Sequence, residues 1–188
     1  MRVAIYGASG TGKTTVAKMI KQEFGLPFNP VGSRTVAKEM GFDNPYDVDA
    51  AGKRAEFQWK LVESKVAWER AHEQFVTDRT TLDNLAYTML HDIYAASDDM
   101  FIAACRAGFV RYTHLIFCPT SVFCSLDDPH RVQNINYQRL YEVLLKALIL
   151  HAVTEDKLMT DIRVVHAATV GERSNWVRNF KNLLQAHG

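Results

Sequence analysis

Little in this sequence belongs to a secreted, membrane-spanning or fibrous protein. Three cysteines (Cys105, Cys118 and Cys124) occur in 188 residues, and neither their number nor their spacing makes a disulfide framework or a zinc site. Reduced thiols in a cytosolic core are expected. The seven histidines show no metal-ligand spacing, so none is assigned to a metal. No apolar run approaches the ~20 residues a membrane helix needs, and the stretch Gly7 to Thr14 interrupts any apolar signal core near the N-terminus. A cytoplasmic protein with no membrane partner is the expectation. Net charge is only +1, which gives no overall pull toward nucleic acid but leaves a local basic groove open. No internal repeat, low-complexity tract or linker divides the chain. What is present is an apolar fraction of 47% beside a charged fraction of 23%, the balance of a soluble globular protein. The length suits one domain, residues 1–188, with a substantial core.

The stretch that organises the rest is Met1-Arg2-Val3-Ala4-Ile5-Tyr6 followed by Gly7-Ala8-Ser9-Gly10-Thr11-Gly12-Lys13-Thr14. An apolar run feeds a glycine-rich loop, and the loop feeds a helical pattern (Val16, Ala17, Met19, Ile20, Phe24). The eight residues match G-x-x-x-x-G-K-[ST] at every fixed position, in the strand-loop-helix context that a phosphate-binding loop requires. Glycines let backbone N–H groups turn inward around phosphate oxygens, and the following helix aims its positive end at the same place. Gly10, Thr11, Gly12, Lys13, Thr14 and Thr15 are therefore the expected nucleotide-binding set. Lys13 would reach the β- and γ-phosphates, and the Thr14 hydroxyl would hold Mg²⁺.

Further along, Gly25 closes the first helix. Leu26 to Val31 reads as a short edge strand, because Pro27 and Pro30 cannot donate ladder hydrogen bonds. A polar helix is expected over Thr35 to Met40, a turn at Asn44-Pro45, and a long helix from about Ala51 to Glu73. Its apolar stripe is Phe57, Leu61, Ser64, Trp68, Ala71 and Phe75. Phe75 to Arg79 reads as a buried strand ending in a charged pair, and Thr80 with Asp83 as the capping box of the next helix. A second helix start falls at Ser97-Asp98-Asp99, with Gly108 as its stop. His114 to Cys118 is a strand ended by Pro119. A polar loop then leads to a helix marked by Leu140, Leu144, Ala147 and His151. Ile162 to Val165 is the last strand, and Thr169 with Glu172 caps the last helix over Val177, Phe180 and Leu184.

Strands alternating with helices indicate an α/β fold around a parallel sheet, whose ligands sit beyond the carboxyl ends of the strands. Those ends carry the phosphate loop, Asp78-Arg79, Cys118-Pro119 and His166 to Thr169, which should share one cleft. Phosphoryl transfer needs a carboxylate there, either to hold Mg²⁺ or to accept the proton of an acceptor hydroxyl. Asp78 is that candidate. Arg79 is a candidate clamp for substrate phosphate, and Arg34 for gripping the acceptor. Arg131, in the polar loop over about 125–136, suits a lid arginine that neutralises developing charge, with Arg139 a weaker second. Asp83, Tyr87, Phe57 and Trp59 are candidates to line the acceptor pocket, although core packing explains each aromatic singly.

With these residues placed, the chain resembles the P-loop nucleoside and nucleotide kinases. Asp78-Arg79-Thr80-Thr81-Leu82-Asp83-Asn84-Leu85-Ala86-Tyr87 is similar to a signature of the branch related to the ribosylnicotinamide kinase domain and to small kinases of viral genomes. The resemblance implies a three-layer fold with five parallel strands ordered 2-3-1-4-5 along the sheet, and a short lid. It makes Asp78 the general base or magnesium-organising carboxylate and Arg131 a lid arginine. It also places the base of ATP near Arg131 and the backbone of Ala167 to Thr169, Ala168 included. No Asn-Lys-x-Asp guanine motif occurs, which favours ATP over GTP.

The activity expected is transfer of the ATP γ-phosphate, with Mg²⁺, to a (deoxy)nucleoside monophosphate or a nucleoside hydroxyl. Modified DNA as the acceptor (a hydroxymethylated pyrimidine base) and a homodimer as the assembly stay open. An acceptor-less nucleotide switch or assembly ATPase is the alternative from another class.

Overall fold

Every second residue of the first strand, β1 (Arg2–Tyr6), faces the same way. Val3 and Ile5 point to one side of the sheet, Ala4 and Tyr6 to the other, and all four are buried. A strand apolar on both sides needs a helical layer above and below it. In the computed structural model, which describes residues 1–91, 98–125, 133–155, 161–165 and 169–186, both layers are present.

The sheet consists of β1, β2 (Phe75–Asp78), β3 (His114–Phe117) and β4 (Asp161–Val164), all parallel, in the order β2-β1-β3-β4. Beyond β2 the chain at Phe28 makes a single parallel bridge to Val76. Among the described residues the five strands expected are four, with the outermost position reduced to that bridge. Pro27 and Pro30 explain the shortfall, since neither can donate to the ladder. The sequence order across the sheet is otherwise the one the resemblance implied.

Helix α1 (Lys13–Phe24) and the C-terminal helix lie on one face and bury Val16, Ala17 and Ile20 beside Val177 and Phe180. The other face carries α5 (Thr81–Leu90), α6 (Asp98–Phe109) and α7 (Ile135–Glu155), which contribute Leu82, Phe101 and Leu145 among others. A smaller apolar cluster (Val36, Ala37, Val48, Phe57, Leu61) joins α2 (Ser33–Glu39), α3 (Pro45–Ala50) and α4 (Arg54–Arg70). These three helices build a wall beside the sheet's carboxyl edge. The last helix, α8 (Val170–Ala186), begins at the expected Thr169–Glu172 capping box.

Several local expectations are corrected. Asn44-Pro45 opens a helix rather than a turn: Asn44 Oδ1 accepts from the N–H groups of Tyr46 (2.9 Å) and Asp47 (3.3 Å), and proline occupies the first helical position. Gly108 lies inside α6. A Cβ there would come within 2.7 Å of Thr81 Cγ2 and 2.9 Å of Val66 Cγ2, so glycine serves close helix packing instead of termination. The buried face of α4 runs through Phe57, Gln58, Leu61, Val62, Lys65 and Glu69. That face is rotated from the apolar stripe, and Phe75 belongs to β2. Along α7 the inward residues are Tyr141, Leu145, Ile149 and Ala152, while Leu140 is exposed.

Candidate active site

Because the strands are parallel, β1 and β2 deliver their following residues to the same edge. The loop after β1 turns through glycines in the left-handed region, Gly10 at φ 80° and Gly12 at φ 77°. Both turns are also crowded. Ser125 N–H donates to the Gly10 carbonyl at 3.0 Å, and a Cβ on Gly10 would sit 2.0 Å from the Ser125 carbonyl oxygen. A Cβ on Gly12 would sit 1.8 Å from the guanidinium of Arg173. Glycine is required at both positions for conformation, and at Gly10 also for space, because the crowding atom there is backbone.

Lys13 opens α1 and is buried, its Nζ donating to the Ala8 carbonyl. Burial, reinforced by the nearby Arg79 charge, lowers its pKa to about 8, against the opposing pull of Asp78 and Asp83. The next residue, Thr14, donates its hydroxyl to Asp78 Oδ2 at the end of β2. The other carboxylate oxygen, Asp78 Oδ1, is buried with no hydrogen-bond partner among the described residues. A hydroxyl in contact with a carboxylate that keeps one buried oxygen unpartnered is a hard oxygen donor set. It fits Mg²⁺ held jointly with phosphate oxygens.

Arg79, directly after Asp78, has φ 80°, a conformation a bulky side chain adopts only under strong constraint. The constraints are visible. Its backbone N–H continues the ladder to the Ile5 carbonyl at 2.8 Å. Its guanidinium donates to Ser9 Oγ (2.9 Å), Tyr141 Oη (3.1 Å) and Asp83 Oδ1 (3.2 Å). Asp83 is buried and uses its second oxygen to cap α5, accepting from Thr80 N–H and hydroxyl, each at 2.8 Å. Its carboxylate therefore positions Arg79 and the helix start.

One cavity of about 590 Å³ runs from the phosphate loop to the wall made by α2, α3 and α4. Of the residues expected from sequence, it gathers Gly10, Gly12, Lys13, Thr14, Thr15, Arg34, Asp78, Arg79, Asp83 and Tyr87. Thr11 is buried behind the loop, with its hydroxyl on the Ala8 carbonyl at 2.9 Å. Arg34 is exposed on α2 at the cavity wall. Phe57 lines the cavity, whereas Trp59 packs edge-on against Phe101 in the core, with ring centroids 5.3 Å apart. Arg139 is exposed on α7 outside the cavity lining. Arg131, Ala168 and most of the expected lid lie outside the described residues.

Other side chains at the site carry no motif that singles them out. Arg173, from α8, donates to the carbonyls of Thr11 (3.1 Å) and Gly12 (3.2 Å). Gln138, from α7, accepts from Ser9 N–H at 3.0 Å. Lys65 is buried on the cavity side of α4, tied to Thr77 Oγ1 and to Glu69 Oε1 (3.3 Å). A buried glutamine, lysine or arginine is invisible to apolar periodicity. The only available signal was a polar residue at an inward helical position, such as Gln58 and Lys65 beside Leu61.

The AAA_28 family model, described as an AAA domain, matches residues 2–155. No curated protein matches the sequence. Solved structures resemble it over nearly the full length. One is a deoxyadenosine kinase from M. mycoides with dCMP and dCDP bound (15% identity, 98% of this chain and 100% of that one, TM-score 0.66). Another is a shikimate kinase from Aquifex aeolicus (15%, 100% of each chain, TM-score 0.61). A third is a thymidylate kinase from Candida albicans (14%, 99% and 92%, TM-score 0.60). At such identities the likeness is one of fold, the three-layer α/β fold of these kinases.

Proposed function

The chain belongs to the AAA_28 family of AAA domains, and from that premise we propose that it is an ATP-dependent kinase of a nucleotide-type acceptor. The γ-phosphate would go to a (deoxy)nucleoside monophosphate or to a nucleoside hydroxyl. One observation carries the reading: the phosphate loop and an acceptor-sized wall share a single cavity, with Asp78 at their junction. The fold shared with nucleoside, nucleotide and shikimate kinases supports it.

In this reading the inward-turned loop amides and Lys13 bind the β- and γ-phosphates, and Thr15 lies beside them on α1. Thr14 and Asp78 would hold Mg²⁺, which when bound neutralises charge on the β- and γ-phosphate oxygens. Asp78 would act either through Mg²⁺ alone or as the base that takes the acceptor hydroxyl's proton. Arg79, fixed by Ser9, Tyr141 and Asp83, presents its positive edge where the transferred group would pass. Arg34 would meet the acceptor from α2, and Arg131 with the Ala168 backbone would close over ATP. Transfer then rests on positioning and charge neutralisation.

The description of the family as an AAA domain keeps an acceptor-less ATPase in play. Against it stands a cavity that extends well past the phosphate loop onto polar and aromatic side chains. The deciding experiment offers γ-labelled ATP·Mg²⁺ with nucleosides, deoxynucleoside monophosphates and duplex DNA containing hydroxymethylated pyrimidines. Label on a small molecule supports the kinase reading and names its substrate. Label on DNA moves the acceptor to a base within the polymer. Hydrolysis with every acceptor unlabelled overturns it in favour of the ATPase.

A further inference from the structure

Behind the cavity wall, one carboxylate oxygen gathers donors from three parts of the chain. Glu69, on α4, is fully buried, and its Oε1 accepts from Asn29 Nδ2 (3.2 Å), Lys65 Nζ (3.3 Å) and Tyr112 Oη (3.3 Å). Its Oε2 is buried with no hydrogen-bond partner among the described residues. Lys65 extends the connection to Thr77 Oγ1 in β2, the residue before Asp78. Asn29 extends it the other way. Its backbone N–H donates to the Val76 carbonyl at 2.9 Å, the last bond the segment makes to the sheet. Its side-chain Oδ1 then accepts from Val31 N–H at 2.9 Å, and so shapes the turn by which the chain leaves for α2. Residues 28–34 all line the cavity, and they end at Arg34.

Stability alone does not account for this arrangement. An ion pair taken out of water repays its desolvation only when the remaining lone pairs are satisfied, and one oxygen here is not. Apolar residues of similar volume often replace such a pair at no cost. What they cannot do is hold Asn29 and Thr77 at fixed distances from one atom. We propose that Glu69 is a positioning residue of the transfer site. Through Asn29 it sets where the wall at 31–34 leaves the sheet, and through Lys65 it holds Thr77 beside Asp78. Glu69 itself does not line the cavity, so it acts only through these two residues. With the tie cut, the wall shifts against β2, and water replaces the acceptor as the group that takes the γ-phosphate from ATP. ADP and inorganic phosphate are then the products. The assignment rests on the kinase reading of the cavity, and it adds the residue that sets the spacing of its two halves.

Two double variants of the whole chain separate the oxygen from the charge. Lys65→Met with Glu69→Gln removes the ion pair but keeps an oxygen for Asn29 and Tyr112. Lys65→Met with Glu69→Met removes the ion pair and the oxygen at similar volume. Hydrogen exchange follows the amides of residues 31–34. In parallel, γ-labelled ATP·Mg²⁺ offered with the four deoxynucleosides and their monophosphates gives the ratio of labelled inorganic phosphate to labelled acceptor. In the second variant exchange at 31–34 should quicken about tenfold or more, and the ratio should rise about tenfold, as expected for losing hydrogen bonds to a charged group. In the first variant both should stay close to those of the unaltered protein. A merely structural role would lower hydrolysis and transfer together and leave the ratio unchanged. If the second variant does not fold, Asn29→Ser replaces it: the hydroxyl can still accept from Val31 N–H but cannot reach Glu69, and the buried pair stays intact. The same loosening is expected. Unchanged exchange at 31–34 in a folded variant overturns the proposal, as does equal loosening in both double variants. Loosened exchange with an unchanged ratio overturns the role in transfer. If the unaltered protein labels no acceptor, the kinase reading fails, and exchange at 31–34 still decides whether Glu69 holds the wall.

Discussion

The hydroxyl of Thr14, in the phosphate loop, donates to the carboxylate of Asp78, 64 residues later and on the neighbouring strand. That contact ties the phosphate loop to the end of β2, and it leaves Asp78 Oδ1 as a buried oxygen without a partner among the described residues. Asp78→Asn keeps an oxygen for Thr14 but removes the negative charge and the basicity. Transfer should fall by at least about 10²-fold while ATP affinity changes by less than about tenfold, the split expected of a group acting mainly in the transition state. Pre-steady-state transfer and equilibrium nucleotide binding measure the two quantities. Near-full transfer by the variant would remove Asp78 from the mechanism.

Lys13 should make nucleotide binding pH-dependent. Burial lowers its pKa in the free protein to about 8, below its unfolded value of about 10.4, so the folded state holds fewer protons than the unfolded state between those values. The free protein should therefore gain stability from this group as pH rises from about 8 toward 10.4, and carry a constant penalty below 8. ATP binding has the opposite slope, because the phosphates require the ammonium form. Affinity should weaken above pH 8, with proton uptake visible as a buffer-dependent binding enthalpy. Lys13→Met should abolish both the uptake and the transfer. Uptake that persists in that variant would assign it to another group.

Gly10 permits no side chain. Alanine there would take on a left-handed backbone, costing roughly 1–2 kcal/mol, and would drive its Cβ to 2.0 Å from a backbone oxygen of Ser125, which cannot rotate away. Gly10→Ala should lose measurable ATP binding and lower the thermal midpoint. Gly25→Ala is the control: it shares the left-handed backbone, at φ 65°, but has nothing within 4 Å of the added Cβ. It should pay in stability alone.

Arg173 has no place in any nucleotide-binding motif, yet its guanidinium holds the Thr11 and Gly12 carbonyls from outside the loop. Those two contacts occupy the carbonyls from outside, which would leave the loop amides to face bound phosphates. Arg173→Met preserves most of the stem and removes both bonds. ATP should bind about tenfold more weakly, as expected for losing one or two hydrogen bonds from a charged donor, while discrimination between acceptors is unchanged. Unaltered ATP affinity in a folded variant would make Arg173 a helix-packing residue only.

The phosphate loop was legible because it is a local device. Strand, glycine turn and helix start are adjacent in sequence, so Gly10, Gly12, Lys13 and Thr14 identify themselves by spacing. The Thr80–Asp83 and Thr169–Glu172 capping boxes were legible for the same reason, each being made within four residues. Asp78 could be placed because parallel strands send their carboxyl ends to one edge.

What the sequence determined by itself was thus the alternation of elements, the phosphate loop and the strand-end carboxylate. Tertiary structure alone decided how far the edge strand survives beside two prolines. It also decided that Asp83 positions Arg79, and that Gln58, Asn84, Gln138 and Arg173 reach the site. These last residues are polar side chains buried by contacts between distant elements. Apolar periodicity cannot register them, because their burial is offset by hydrogen bonds whose partners lie up to 162 residues away and meet only once the sheet has brought the helices together.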